Sequence, residues 1–206
     1  MEISVSFLKS KYPIDEQIAA LNNSNCDLIH VDFMDGTFVD NKSLALEDMH
    51  LGKFTKPLEI HLMVNNPGKY IDYCKIFKPK HFIIHYEIMH NMNELMETIL
   101  KITDSGMLVG LAINPETDIK SIKPLFKYVD MILVMSVIPG KGGQAFIPET
   151  VDKLKKLRPI YKGRIEVDGG INDTSINLVK NYVDAVVSGS YVCLNDDYNK
   201  AIAKLR

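Results

Sequence analysis

Excess charge of either sign is missing from this 206-residue chain. Lys and Arg number 24 against 26 Asp and Glu, a formal net charge of −2. That balance gives no electrostatic drive toward nucleic acid or an anionic membrane surface. No apolar run approaches the roughly 20 residues needed to span a bilayer. The opening MEISVSFLKSKYP has no basic start followed by an apolar stretch, so no signal peptide, membrane partner or nucleic-acid partner is expected. Cysteine is scarce: Cys26, Cys74 and Cys193 are scattered and odd in number, which fits reduced thiols and a cytoplasmic location better than a disulfide framework. Low-complexity tracts and linkers are absent. With 46% hydrophobic residues, disorder is excluded and one domain over residues 1–206 is expected.

What is present is an alternation of short apolar runs with longer amphipathic ones. Strands are predicted at Ile3–Leu8, Leu28–Asp32, Leu58–Met63, His81–His85, Met107–Ile113, Met131–Met135, Arg164–Asp168 and Ala185–Ser188. Helices are predicted at about Ile14–Asn22, Leu46–Lys53, Pro67–Phe77, Met92–Ser105, Ile119–Tyr128, Pro148–Leu157, Thr174–Asn181 and Tyr198–Leu205. Pro13, Pro67 and Pro148 suit first helical turns, and Gly106 suits a helix end. Strand–helix alternation implies parallel strands joined by right-handed crossovers. Eight units predict an α/β fold of the (β/α)8, or TIM, barrel type. The competing open doubly wound sheet normally shows GxGxxG after its first strand; here that stretch is lysine-rich.

Side chains two apart on a strand share a face. His30, Asp32 and Met34 therefore point one way, as do Glu59, His61 and Met63, and Arg164, Glu166 and Asp168. The intervening residues are apolar and suit packing against helices, so the polar sets face the barrel interior. Ionisable groups there are costly unless paired or bound to a metal. His30, Asp32, His61 and Asp168 gather near C-terminal strand ends, where barrel enzymes place their sites. Two imidazoles and two carboxylates suit one divalent ion such as zinc, manganese, iron or cobalt. A single His-x-Asp would be read as structural; the convergence of three strand ends favours the metal. The deeper Glu59, Arg164 and Glu166 read as an internal ion-pair layer.

Glycine-rich turns follow the last three predicted strands: Pro139-Gly140-Lys141-Gly142-Gly143-Gln144, Asp168-Gly169-Gly170 and Ser188-Gly189-Ser190. Glycine lets backbone N–H groups approach an anion, and the loops after strands 7 and 8 are the usual phosphate grip of this fold. One pair alone would be a tight turn; three neighbouring loops point to a phosphate cradle, to which Lys141 could add charge.

The segments Ile29–Gly36 (IHVDFMDG), Glu59–Val64 (EIHLMV), Val134–Val137 with Pro139–Gln144, and Glu166–Ile171 (EVDGGI) resemble those of the ribulose-phosphate 3-epimerase family of phosphate-binding barrels. The resemblance runs nearly end to end. It implies inversion at C3 of a ketose phosphate, linking D-ribulose 5-phosphate and D-xylulose 5-phosphate in the pentose phosphate pathway, through a metal-stabilised enediolate. It implies that His30, Asp32, His61 and Asp168 hold one divalent metal ion and that Asp32 and Asp168 are the acid/base pair. Ser6, His61, Met34, Met63 and Met135 match substrate-lining positions. Gly142, Gly143, Gly170, Gly189 and Ser190 match phosphate-holding ones, with Gly140 and Gly169 counted beside them. The chemistry suits these residue types, since one carboxylate on each face can remove and return a proton next to a carbonyl. No organic cofactor is needed, and a homo-oligomer is expected by analogy.

Several positions depart from the family pattern: Val5, Asp40, the stretch Lys42–Leu46, Ile138 and Lys141. They leave allulose 6-phosphate as an alternative substrate. A hexulose-phosphate lyase or synthase would show a catalytic lysine among the central His/Asp residues, where this chain has none. A non-catalytic sugar-phosphate-binding barrel would tolerate loss of a ligand or a base, and none is lost. Met131 reads as core and Asp35 as a turn residue. Of His50, His81, His85 and His90, only His85 ends a strand near the site, and no direct role is expected for it.

Overall fold

The computed structural model describes residues 1–88 and 91–206; His90 lies outside them. Among these residues eight parallel strands close into a barrel in chain order, with β8 paired to β1. They are β1 (Glu2–Ser6), β2 (Leu28–Met34), β3 (Leu58–Met63), β4 (His81–His85), β5 (Leu108–Ile113), β6 (Met131–Met135), β7 (Arg164–Asp168) and β8 (Ala185–Val187). The barrel is the predicted fold; an open sheet would leave β1 and β8 unpaired. Among the described residues no helix is long and apolar enough to cross a membrane.

The helices are α1 (Ile14–Asn22), α2 (Ile71–Cys74), α3 (Met92–Asp104), α4 (Ile119–Ile122), α5 (Thr150–Leu157), α6 (Ile176–Val179), α7 (Ser190–Cys193) and α8 (Tyr198–Ala203). α3 shows how the sequence makes one. Asn91 caps it by accepting from the Glu94 N–H at 3.0 Å, satisfying a donor with no intrahelical partner. Leu95, Ile99 and Ile102 then fall on one buried face.

Several predicted elements are shorter or broken. Leu46–Lys53 is two 3₁₀ turns, because His50 takes a left-handed φ of 49° between them, which a continuous helix excludes. Pro67–Phe77 is a 3₁₀ turn, α2 and a second 3₁₀ turn. Ile119–Tyr128 shrinks to α4 and a turn, and Thr174–Asn181 to α6. β1 ends at Ser6, and α7 occupies what reads as a plain loop after β8.

The barrel interior has two halves. β4, β5, β6 and β8 contribute an apolar set that includes Ile83, Ala112, Met131, Leu133 and Val187. Gly110 makes room for it: a Cβ there would lie 2.7 Å from Ile83 Cγ1. β1, β2, β3 and β7 contribute the buried polar set Ser4, Ser6, His30, Asp32, Glu59, His61 and Glu166, to which β4, on either side of Ile83, adds His81 and His85. Outward residues such as Val31, Ile60 and Val167 join the larger core between strands and helices.

Candidate active site

β2 and β3 pair in register, setting His30 beside Glu59 and Asp32 beside His61. Four ligand-type atoms, one each from His30, Asp32, His61 and Asp168, lie within 4.8 Å of one another. His30 Nε2 is 3.3 Å from His61 Nδ1 and 3.3 Å from Asp32 Oδ1, and His61 Nδ1 is 3.0 Å from the same oxygen. Asp168 Oδ2 stands wider, 3.9 Å from His30 Nε2 and 3.8 Å from His61 Nδ1. Ligands at metal–ligand bonds of about 2.0–2.1 Å are roughly 3.0–3.4 Å apart in tetrahedral or octahedral arrangements. The spacing thus fits a divalent ion, with Asp168 the loosest member.

The protonation pattern points the same way. Burial disfavours a charge on His30, yet Asp32 and then Glu59 raise its pKa well above the usual imidazole value. Burial also disfavours the Asp32 carboxylate, but His30 and His61 hold it far below the usual range. His61 is brought down to about 4 by burial and by the neighbouring His85 and His30, against the pull of Asp32. Burial, then the Asp32 charge, pushes Asp168 up to about 7. A proton on His30 thus sits where four basic atoms converge, and metal binding at such a set displaces protons.

Glu59 corrects the expected ion-pair layer. It does not pair with Arg164; it accepts from Ser4 Oγ and lies 2.9 Å from His30 Nδ1, which turns Nε2 of that ring toward the centre. Arg164 instead reaches Glu2 and Glu166. Burial and the Glu59 charge raise Glu166 well above the carboxylate range.

Above the cluster is a cavity of about 330 Å³, at the small end of ligand pockets. Asp32 and Asp168 are in its floor, with Ser6, Met63 and Met135 beside them. Ser6 Oγ donates to Asp32 Oδ2 at 2.5 Å. Gly140, Gly142, Gly143, Gly169, Gly170, Gly189 and Ser190 all border the same cavity. Gly170 has φ +65°, and a Cβ on it would lie 2.3 Å from the Phe146 backbone nitrogen, so only glycine brings the β6 and β7 loops this close. Ser136 ties those loops together: its backbone N–H donates to the Asp168 carbonyl at 2.7 Å, and its single hydroxyl proton is shared between the Asp168 and Gly169 carbonyls, 2.8 and 2.7 Å from Oγ.

These observations meet known proteins at one place. A model of the ribulose-phosphate 3 epimerase family matches residues 2–193. The chain belongs to the ribulose-phosphate 3-epimerase family. A protein of that name from Synechocystis sp. is 36% identical over 203 residues, covering 94% of this chain and 87% of the relative. One from Helicobacter pylori is 37% identical over 193 residues, covering 89% and 87%. One from Bacillus subtilis is 30% identical and covers 100% and 98%. Membership makes the chain an isomerase acting on carbohydrates. Among solved structures, 3-hexulose-6-phosphate synthase from Salmonella typhimurium aligns with a TM-score of 0.71 at 15% identity over 100% of this chain and 96% of that one. The tryptophan synthase a2b2 complex of Pyrococcus furiosus aligns at 0.74 and 12% identity, covering 99% and 97%. These two likenesses show the barrel alone.

Some residues are placed differently from expectation. His61, expected at a substrate-lining position, is fully buried beneath the cavity rather than in its wall. Met34 is 1% exposed and does not line it. The loop after β2 folds back there: Asp35 pairs with Lys42, and Ser43 bonds both backbone groups of Met34. Lys9 and Tyr191 line the cavity although nothing singles them out as site residues in the sequence. Lys9 carries a signal in hindsight, since it follows the C-terminal end of β1, the mouth of the barrel. His85 comes within 2.8 Å of His61, Nε2 to Nε2.

Proposed function

We propose that the protein is a metal-dependent 3-epimerase of a ketose phosphate, with D-ribulose 5-phosphate and D-xylulose 5-phosphate as its substrate pair. The observation that carries this reading is that Asp32 on β2 and Asp168 on β7 border one small cavity while converging with His30 and His61 beneath it. The names of the relatives support the sugar.

His30, Asp32, His61 and Asp168 would hold a zinc, manganese, iron or cobalt ion, which when bound supplies Lewis-acid stabilisation of charge on the substrate's carbonyl and enediolate oxygens. The chain's own residues do the rest. Asp32 and Asp168 act as the two bases, one on each face of C3, each removing the proton in one direction of turnover and returning it in the other. Ser6 holds the outer oxygen of Asp32 and so fixes that carboxylate's aim. His61 closes the floor under the substrate. Met63 and Met135 line the reacting centre with soft apolar surface that does not compete for hydrogen bonds, and Met34 is the register partner of Met63 on the neighbouring strand. Gly140, Gly142, Gly143, Gly169, Gly170, Gly189 and Ser190 present backbone to the phosphate.

The test is a panel of pentulose and hexulose phosphates offered to protein reconstituted with each of the four metals. Preferential turnover of ribulose 5-phosphate is expected. A preference for allulose 6-phosphate would reassign the sugar. Absence of turnover on every substrate with every ion would make the barrel a binding module and overturn the reading.

A further inference from the structure

His61 has two ring nitrogens, and only Nδ1 faces the converging ligand atoms. Its Nε2 points the other way and lies 2.8 Å from His85 Nε2. Two ring nitrogens at that distance form a hydrogen bond only if one carries the proton and the other a lone pair. His85 Nδ1 in turn lies 3.1 Å from Glu87 Oε2. Glu87 is held in place beyond it, with Oε1 accepting from the Asn114 N–H at 2.7 Å and from the Thr117 hydroxyl. The loop carrying Asn114 and Thr117 is itself pinned, because Lys153 Nζ on α5 donates to the carbonyls of Asn114, Pro115 and Thr117 at 2.7–2.8 Å.

With both rings neutral, this chain has one consistent polarity. An ionised carboxylate only accepts, so His85 Nδ1 carries its proton and His85 Nε2 a lone pair. His61 Nε2 must then be the donor, which leaves the His61 Nδ1 lone pair facing the ligand cluster, 3.0 Å from Asp32 Oδ1 and 3.3 Å from His30 Nε2; with Asp32 ionised, that contact is favourable only with a cation beside it, the proton of His30 or a metal ion. His61 and His85 are both fully buried, their ring planes lie within 26° of each other with centroids 4.9 Å apart, as an in-plane nitrogen–nitrogen hydrogen bond requires, and the Phe38 ring lies beside His85 with centroids 4.7 Å apart. No other ring rotation or water is needed to complete the path. His30 is oriented by a single carboxylate, Glu59 on Nδ1; for His61 the same task takes a carboxylate and a second imidazole.

We propose that His85 and Glu87 are positioning residues: through the relay Glu87–His85–His61 they fix the His61 tautomer whose Nδ1 can ligate the cation. This rests on the reading of His61 as a metal ligand. Partners of this kind change metal affinity by about 10–100-fold when altered.

The experiment is a Zn²⁺ competition titration against a chromophoric chelator, using the full chain and the variants Glu87→Gln, His85→Gln and His85→Leu, with apo-protein melting curves to verify folding. The amide of Glu87→Gln cannot satisfy both the Asn114/Thr117 donors and His85 Nδ1–H with acceptors, so an affinity loss of about 10–100-fold is expected. His85→Leu removes the acceptor and should lose as much. His85→Gln keeps a side-chain oxygen for His61 Nε2–H and should recover to within about fivefold of the parent. Affinity of Glu87→Gln within twofold of the parent, or His85→Gln no better than a folded His85→Leu, overturns the relay; if His85→Leu does not fold, Glu87→Gln decides. Failure of the parent itself to bind Zn²⁺ would instead remove the metal-site reading, and the relay with it.

Discussion

Asp32 and Asp168 address the same two imidazole nitrogens from unequal distances. Asp32 Oδ1 lies 3.0 Å from His61 Nδ1 and 3.3 Å from His30 Nε2, whereas Asp168 Oδ2 lies 3.8 and 3.9 Å from them. Asp32 therefore takes most of the cationic stabilisation that His30 offers, and Asp168 is left with burial and a like charge. The metal-free barrel holds one carboxylate ionised and the other near neutrality, the situation that separates two acids in function.

That separation has a consequence for stability. In folded metal-free protein Asp168 keeps its proton up to about pH 7, whereas an unfolded Asp releases it near pH 3.9. Between those values the folded state binds more protons, so the contribution of Asp168 is fully present in acid and is lost as pH rises toward 7. Asp168→Asn does not titrate. In chelator, wild-type stability minus variant stability should fall by roughly 1–3 kcal/mol between pH 5 and pH 8. Denaturant titrations at both pH values measure it; a flat or rising difference contradicts the assignment.

The same variant tests the chemistry. With metal restored, Asp168→Asn should lower epimerase turnover by about 10²–10⁴-fold while leaving the circular dichroism spectrum unchanged. Near-normal turnover would reject the two-carboxylate mechanism.

Metal removal should act on both activity and stability. Chelation should abolish turnover and lower the thermal midpoint, with both restored on adding back the ion. At an ion concentration 100 times Kd the stabilisation is about 2.7 kcal/mol, equivalent to several degrees in a chain of this size. An unchanged midpoint in calorimetry would argue against an ion in this cluster.

Gly170→Ala should damage the phosphate grip ahead of the proton chemistry. The added Cβ would meet the Phe146 backbone at 2.3–2.6 Å, at a φ of +65° that side chains rarely adopt. Steady-state kinetics should show KM raised about tenfold or more with a smaller fall in kcat, together with a stability loss of roughly 1–3 kcal/mol. An unchanged KM would place the phosphate elsewhere.

The strands and the central residues were legible because period-2 alternation survives in β2, β3 and β7, where one face must be apolar for the helices. The same reasoning stops where the strand stops. Glu87 lies in the 3₁₀ turn Tyr86–Ile88, where parity has no meaning, and without it His85 looks like a lone histidine at a strand end. Met34 has the right parity, but the fold-back of the following loop removes it from the cavity wall. Leu46–Lys53 has the apolar spacing of a helix, but the left-handed His50 divides it. Glu59 shares a face with His61, yet parity cannot show whether its partner is Arg164 or His30; that depends on β2 and β3 being neighbours in register.

Proton bookkeeping at the reacting carbon tests the central claim most directly. Metal-reconstituted protein should be incubated with ribulose 5-phosphate in D₂O and both sugars read by NMR. Interconversion with deuterium entering at C3, and at no other carbon, is the expected result for two carboxylates that exchange with solvent. Xylulose 5-phosphate formed without deuterium at C3, or label entering at C1 instead, would contradict it.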